Sequence, residues 1–452
     1  KHTDTVIRIK DITMSQLRMK DNSKKSKSEF SSVSKIIKIV ADKTLDELEK
    51  EGIFVFPELV KETKDLTREQ IILQSYNDSY RCGNVMGFLG YGDQRLVIES
   101  RFCTSKNDYF LRYLLERVLS LPNVINLEAD GTPDSKLFEL FIFLFPHYLK
   151  RAVRKGLFKT YVHRKYNDCN PKGTIDIARH IKINTPFVGN VAYSQRECSY
   201  DNDLTQLIRH TIEFIKKKPY GRHILSQAKD EVNLIVEATQ NYQLYDKKKI
   251  IAENKKNIIR HAYFHEYRVL QHLCVLIMQN QKHQLGTGIN RVYGILFDGA
   301  WLWEEYLNLL VKDLFYHPMN KGGKGAQRLF SGNIGLIYPD FISQNNDIRV
   351  IADAKYKPIG NIGNRDYFQM LAYMMRFNAK TGIYFYPETG KAEDLRLWLN
   401  TGTTYEKNVT PREDISVIKH GFQIPEGANN YADFSELMRK SESVFRKTLN
   451  LS

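Results

Sequence analysis

Two carboxylates and an ammonium group stand close together in the last third of the chain. Asp340 sits inside the apolar run Leu336-Ile337-Tyr338-Pro339-Asp340-Phe341-Ile342, and Asp353 and Lys355 sit in Val350-Ile351-Ala352-Asp353-Ala354-Lys355-Tyr356-Lys357. Side chains alternate between faces along a strand. Asp353 and Lys355 therefore share one face, and Val350, Ala352, Ala354 and Tyr356 point the other way, toward a core. The residues between the two runs are mostly polar and include Asn345-Asn346-Asp347, so the pattern predicts a hairpin with Asp340 and Asp353 side by side. Neighbouring carboxylates repel, and each resists ionising. A divalent cation between them removes that cost, and hard oxygen ligands suit Mg²⁺ or Mn²⁺. Lys355 beside the ion would orient or deprotonate an attacking water and offset charge on a phosphorane-like transition state. The bland alternative is a pair of surface strands with ordinary charges.

Two helices must flank this hairpin. Asp298 is placed to cap the first, with Leu302, Tyr306, Leu309 and Leu310 as its buried stripe. Glu304 and Glu305 lie in its middle, and one of them is in position to reach a metal through water; a solvated face is the alternative. The second helix carries Asp366-Tyr367-Phe368-Gln369-Met370-Leu371-Ala372-Tyr373. Gln369 and Tyr373, four apart, share one face and would close over the strand pair, unless Gln369 is simply a buried, hydrogen-bonded glutamine.

The surrounding order is helix (about 298 to 315), glycine-rich loop, strand (334 to 343), turn, strand (348 to 357), helix (365 to 378) and strand (381 to 387), which describes a compact α/β domain. The expected division is a flexible basic segment over 1–33, a β-rich domain over 34–130, a mostly helical region over 131–285 with a break at Pro146, and the α/β domain over 286–452. Gly90-Tyr91-Gly92-Asp93 marks a hairpin in the second segment. The fold class is thus multidomain, α+β with a C-terminal α/β domain.

The 452 residues include 67 Lys and Arg against 52 Asp and Glu, a net charge of +15. That favours a polyanionic partner, nucleic acid first. With 42% hydrophobic residues the chain can build real cores. Its five cysteines are scattered without a C-x-x-C pair, which fits a reducing cytoplasm and argues against a zinc ribbon. No apolar run approaches the ~20 residues of a membrane span, and the start at Lys1 shows no secretory pattern. Lys321-Gly322-Gly323-Lys324-Gly325 fails as a phosphate loop, because Pro318 stands where the first glycine is needed and Gly325 replaces Ser/Thr. Nucleotide chemistry would then belong to a partner. His261 and His265 lack the internal glutamate of a zinc protease. Lys216-Lys217-Lys218 and Lys247-Lys248-Lys249 read as solvated helix ends before phosphate contacts, and Trp301 and Trp303 as core.

The residues around Asp340, Asp353, Lys355, Gln369 and Tyr373 resemble the PD-(D/E)XK nuclease superfamily in its Q-x-x-x-Y variant. Their wording is similar to McrC-like nuclease subunits of McrBC- and LlaJI-type restriction systems. Leu302-Trp303-Glu304 resembles that family's L-F-E motif and favours Glu304 over Glu305. Lys172-Gly173-Thr174-Ile175-Asp176-Ile177, Arg196-Glu197, Asp201-Asn202-Asp203-Leu204 and Ile98-Glu99-Ser100-Arg101-Phe102 extend the similarity over roughly residues 85 to 387. The resemblance implies a Mg²⁺- or Mn²⁺-dependent DNA endonuclease of a phage-restricting system. Asp340, Asp353 and Glu304 would hold the metal, with Lys355, Gln369 and Tyr373 completing the site. It implies a McrB-like AAA+ GTPase partner, whose GTP hydrolysis the N-terminal half stimulates, and double-stranded DNA, methylated or of defined sequence, as substrate. A non-catalytic assembly or DNA-binding subunit on a decayed nuclease fold is the alternative.

Overall fold

The computed structural model describes residues 15–45, 47–48, 53–56, 71–92, 94–104, 108–118, 133–279, 292–318, 327–332, 334–345, 348–402 and 409–449. The chain forms two compact units, one from Lys1–Leu121 with Gly286–Ser452 and one from Pro122–Leu285.

The first unit holds two main sheets. In the five-stranded sheet the order is Ser15–Lys20, Gln94–Glu99, Val85–Tyr91, Tyr293–Asp298, Ile53–Phe56. Val85–Tyr91 and Gln94–Glu99 form the expected hairpin, closed at Tyr91↔Gln94 with Gly92 at φ +57°. Gly87 is required where it stands. Its φ is +142°, and a Cβ there would lie 2.1 Å from the Ile295 carbonyl oxygen.

Two expectations are corrected in this unit. Residues 15–33, expected to be flexible, are ordered: Ser15–Lys20 pairs in parallel with Gln94–Glu99, Lys24–Ser26 pairs with Ser79–Cys82, and Lys27–Val33 is a 3₁₀ helix. The apolar residues among the lysines explain this, since Met19, Phe30 and Val33 are buried and outweigh the solvation of their charged neighbours. The separate domains expected over 34–130 and 286–452 share one unit. Tyr293–Asp298 is parallel to Ile53–Phe56 and antiparallel to Val85–Tyr91, so a strand from the C-terminal segment completes the N-terminal sheet.

The second sheet has six strands, in the order Phe315–Tyr316, Phe341–Ser343, Val350–Ala354, Thr381–Glu388, Val409–Gln423, Leu395–Gly402. Val350–Ala354 is antiparallel to Phe341–Ser343 and parallel to Thr381–Glu388. The parallel step needs a crossover, and the helix Asn364–Phe377 supplies it. Its Met370, Tyr373 and Met374 pack with Ile342, Ile351 and Tyr384. On the opposite face Phe315, Phe341 and Phe385 meet edge to face, and Trp303 and Tyr306 contact Phe422. Both faces are covered, so Ile351 is as buried as Ala352, and the core does not lie on one side only as the alternation suggested.

The strand expected over 334–343 is two short pieces, Leu336–Ile337 and Phe341–Ser343. Pro339 between them has no N–H to give a ladder. The helix Gly299–Val311 is capped by Asp298, whose Oδ1 accepts from the Ala300 N–H at 2.9 Å. Its buried stripe is Leu302, Trp303, Tyr306, Leu307, Leu310 and Val311, while Leu309 is exposed.

The second unit contains the helices Pro133–Val153, Asp203–Lys216, Gly221–Ser226, Lys229–Ala238, Lys247–Lys256 and His265–Gln279. Pro146 lies inside the first of these, which continues through it. Beside the helices runs a three-stranded antiparallel sheet of Thr160–Asp168, Val191–Ser199 and Thr174–Ile175, so the mostly helical region also carries a sheet. Asn202 caps Asp203–Lys216 by accepting from the Leu204 and Thr205 N–H groups, and Leu204, Leu207, Ile208, Ile212 and Ile215 form its buried stripe. Among the described residues no helix is long and apolar enough to cross a membrane.

Candidate active site

The hairpin register decides where the acids fall. Phe341 pairs with Ala352 and Ile342 with Ile351, so one step further along the same ladder Asp340 stands opposite Asp353. The ladder itself ends there. The Asp340 carbonyl is taken by His317 Nδ1 at 2.7 Å, and the Asp340 side chain, not its backbone, accepts from the Ala354 N–H at 2.8 Å. A strand pair that ends in a side-chain bond leaves two carboxylates at its mouth.

Lys355 follows on the other side of Asp353. Its backbone N–H is tied to the Phe385 carbonyl at 2.8 Å, which fixes where the side chain starts. The Lys355 ammonium contacts Asp353 Oδ2, donates to Gln369 Oε1 at 3.2 Å and faces Asp366 Oδ1 at 3.6 Å. Gln369 Nε2 donates to the Tyr373 hydroxyl at 2.6 Å, and that hydroxyl donates to the Tyr338 carbonyl at 3.1 Å. A continuous chain of bonds thus runs from Asp353 through Lys355, Gln369 and Tyr373 to the backbone two residues before Asp340. Gln369 is solvent-exposed, so it is not a buried structural glutamine.

Electrostatics places Glu304 in the same cluster. Burial pushes the Asp340 carboxyl well above the usual carboxylate range, and the charges of Glu304 and Asp353 push it further, against Lys355 and the Ala354 N–H. Lys355 itself is raised: burial disfavours its charge, but the Asp353 and Asp340 carboxylates outweigh burial. The Tyr373 hydroxyl is raised by burial and by Asp353. Glu304 is buried on the helix Gly299–Val311, and His317 Nε2 lies 3.6 Å from it and 3.7 Å from Glu305.

The structure thus joins Asp353, Lys355, Gln369 and Tyr373 in one chain of contacts, sets Asp340 opposite Asp353, and leaves Glu304 buried on its helix, where its charge bears on Asp340. Asp340 feels the charges of both Asp353 and Glu304, and carboxylates are the ligands a hard cation prefers. Among the described residues no three His, Cys, Asp or Glu side chains are drawn into a ligand cage; the positive charge beside Asp353 is the Lys355 ammonium. His261 and His265 are exposed and belong to no such group. Trp303 is core, its Nε1 donating to the Phe385 carbonyl at 3.1 Å. The glycine-rich stretch 321–325 lies outside the described residues.

Two residues of the site carried no role in the sequence reading. His317 bridges the Asp340 backbone and the two glutamates; it lies outside the strand and helix patterns, and only the fold shows the contact. Asp366 was visible in the helix motif. Its signal was an acid three residues before Gln369 at a helix N-terminus, where a carboxylate caps.

Residues 80–387 match the family described as McrBC 5-methylcytosine restriction system component. The chain belongs to that family. The match covers the hairpin, the Gly299–Val311 and Asn364–Phe377 helices and all but the last residue of the Thr381–Glu388 strand, but not the last strands of the second sheet. Among curated proteins none matches this McrBC family member. Among solved structures, a half-complex from the tetradecameric assembly of Thermococcus gammatolerans McrB AAA+ hexamers with bound McrC shows 15% identity. It covers 96% of this chain and 99% of its own, with a TM-score of 0.46. A second structure, the Thermococcus gammatolerans McrBC complex, shows 15% identity over 66% of this chain and 88% of its own, with a TM-score of 0.27.

Proposed function

We propose that this chain is the nuclease subunit of an McrBC-like restriction system. It is a Mg²⁺-dependent endodeoxyribonuclease of the PD-(D/E)XK kind, in the Q-x-x-x-Y variant, acting in the cytoplasm on double-stranded DNA, methylated or of defined sequence. Membership of a family named as one component of a system supports a second component. We take that to be a McrB-like AAA+ GTPase, since the sequence of this chain has no Walker motif, and we expect this chain to stimulate its GTP hydrolysis.

The observation that carries the reading is the end of the strand pair, where Asp340, Asp353 and Lys355 converge with Glu304 behind them. Asp340, Asp353 and Glu304 would hold the divalent ion, which when bound supplies Lewis acidity and lowers the pKa of a water. Lys355 remains protonated beside these acids and presents a positive charge where a pentacovalent phosphate gains negative charge. Gln369 fixes the ammonium, and Tyr373 fixes Gln369 against the Tyr338 carbonyl. Each side chain has a partner that limits its rotamer, so little ordering cost is left for the reaction.

The test is co-purification with the product of the adjacent reading frame and GTP-dependent cleavage of methylated and unmethylated plasmid. Asp353→Ala and Lys355→Ala are expected to abolish cutting while assembly persists. Full cutting by both variants would exclude this site. GTP hydrolysis and DNA binding without any cutting in Mg²⁺ or Mn²⁺ would favour a non-catalytic assembly subunit.

A further inference from the structure

Asp366 serves two lysines at once. Its Oδ2 accepts from Lys357 Nζ at 2.6 Å and from the Gly363 N–H at 3.0 Å, while its Oδ1 faces Lys355 Nζ at 3.6 Å. The carboxylate cannot swing away. It is the third residue of the Asn364–Phe377 helix, its backbone N–H is bonded to the Gly363 carbonyl, and its own carbonyl accepts from the Tyr384 hydroxyl. The chain after the catalytic strand is equally constrained. The Lys357 N–H bonds back to the Lys355 carbonyl at 2.8 Å, a tight turn that fixes the backbone from which Lys357 reaches the same carboxylate.

The result is two ammonium groups gathered on one carboxylate, close enough for each to address a different phosphate of one strand. Lys357 is partly exposed, at 28% of its side chain, against 15% for Lys355. Asp366 is held in its ionised form by Lys357 and by the Gly363 N–H against the cost of burial, so the pair is not a bare cation cluster. We propose that Lys357 is a second phosphate-contacting residue: Asp366 sets it beside Lys355, and it takes the backbone phosphate next to the scissile one. This rests on the nuclease reading for the role of Lys355, but the contact is one of binding and is scored without cleavage. A lysine on a flexible stem is a point charge that needs a fixed counter-ion to be aimed, and Asp366 is that counter-ion.

The test uses the full chain with a short DNA duplex in EDTA over a range of salt concentrations. Neutralising one phosphate contact lowers the slope of log affinity against log salt by about one. Lys357→Met is expected to do this and to weaken binding at low salt, and Lys357→Arg to restore both. In cleavage by the assembled complex, Lys357→Met raises KM about threefold to tenfold with kcat nearly unchanged, as expected for a contact equal in ground and transition state. Asp366→Asn keeps an acceptor for the Gly363 N–H, so the helix start survives. Charge alone predicts tighter DNA binding for this variant, whereas loss of aim predicts none and a fall in kcat through Lys355. A parental salt slope and KM in Lys357→Met, or tighter binding with full kcat in Asp366→Asn, would overturn the proposal while leaving the nuclease reading intact. If the parent binds DNA but never cuts, the nuclease reading fails and the slopes still decide the contact.

Discussion

Asp340→Asn should make the metal-free protein more stable and the enzyme inactive. Asp340 and Asp353 stand opposite each other at the end of an antiparallel pair, where cross-strand Cβ atoms are about 5 Å apart. Two unit charges at that distance repel by about 3 kcal/mol at an effective dielectric constant near 20. Glu304 adds to this and Lys355 offsets part of it. An asparagine at 340 retains an oxygen for the Ala354 N–H bond and drops the charge. The net gain is on the order of 1–3 kcal/mol near neutral pH without metal. In Mg²⁺ the parent gains stability by linkage, while the variant, short of one ligand, gains less, so the difference shrinks or reverses. The measurement is urea unfolding in EDTA and in MgCl₂, followed by tryptophan fluorescence. All three tryptophans, Trp301, Trp303 and Trp398, lie in the unit that holds the site, so the signal reports on that unit. If the variant is less stable than the parent in EDTA, or Mg²⁺ stabilises both equally, Asp340 is not held against its neighbouring acids as a cation ligand would be.

Two further outcomes follow from the same contacts. Tyr373→Phe removes the hydroxyl that accepts from Gln369 and donates to the Tyr338 carbonyl. A stability loss of about 1–2 kcal/mol should come with a fall in cleavage of about 10–100-fold; full cleavage at reduced stability would show that Gln369 does not orient Lys355. Burial raises the Asp108 carboxyl to about 7 despite the Ser100 and Leu111 N–H groups that bond it. The folded state therefore holds a proton that the unfolded chain releases, so this contribution is full below about pH 4 and is lost as pH rises through about 7, at no more than about 1.4 kcal/mol per pH unit. Asp108→Asn should flatten that loss when unfolding midpoints are compared between pH 4 and 8, and parallel curves would refute it.

The hairpin was legible because everything that defines it is local: two apolar runs, a short polar link and a period of two. Those features place Asp340 against Asp353 without knowledge of the rest of the chain. Glu304 over Glu305 was a different kind of reading and came from family resemblance, since a helix pattern does not say which of two adjacent acids faces inward. Leu309 shows the same limit: its spacing suits the stripe, but the sheet behind the helix takes Leu307 instead. Contacts set by distant segments were out of reach. Tyr293–Asp298 pairs with strands from the start of the chain, and His317 meets Asp340 only because Phe315–Tyr316 pairs with Phe341–Ser343. In residues 15–33 lysines dominate the composition while Met19, Phe30 and Val33 decide the burial; residues 1–14 of the same basic segment lie outside the described residues.

The spacing of the helix motif follows from the topology of the second sheet. Val350–Ala354 and Thr381–Glu388 are parallel neighbours, so the helix between them must run back along the sheet. It starts at Asn364, beside the carboxyl end of the first strand, where ligands gather in open α/β sheets. Its first turn therefore brings Asp366 to Lys355 and Lys357, and the next brings Gln369 to Lys355. One turn deeper on the same face lies Tyr373, already level with the backbone before Asp340. Gln369 and Tyr373 can join the lysine to that strand only when they are about one turn apart. A shift of two residues would turn one of them to the far side of the helix, and the lysine would lose its link to the acid it must work beside.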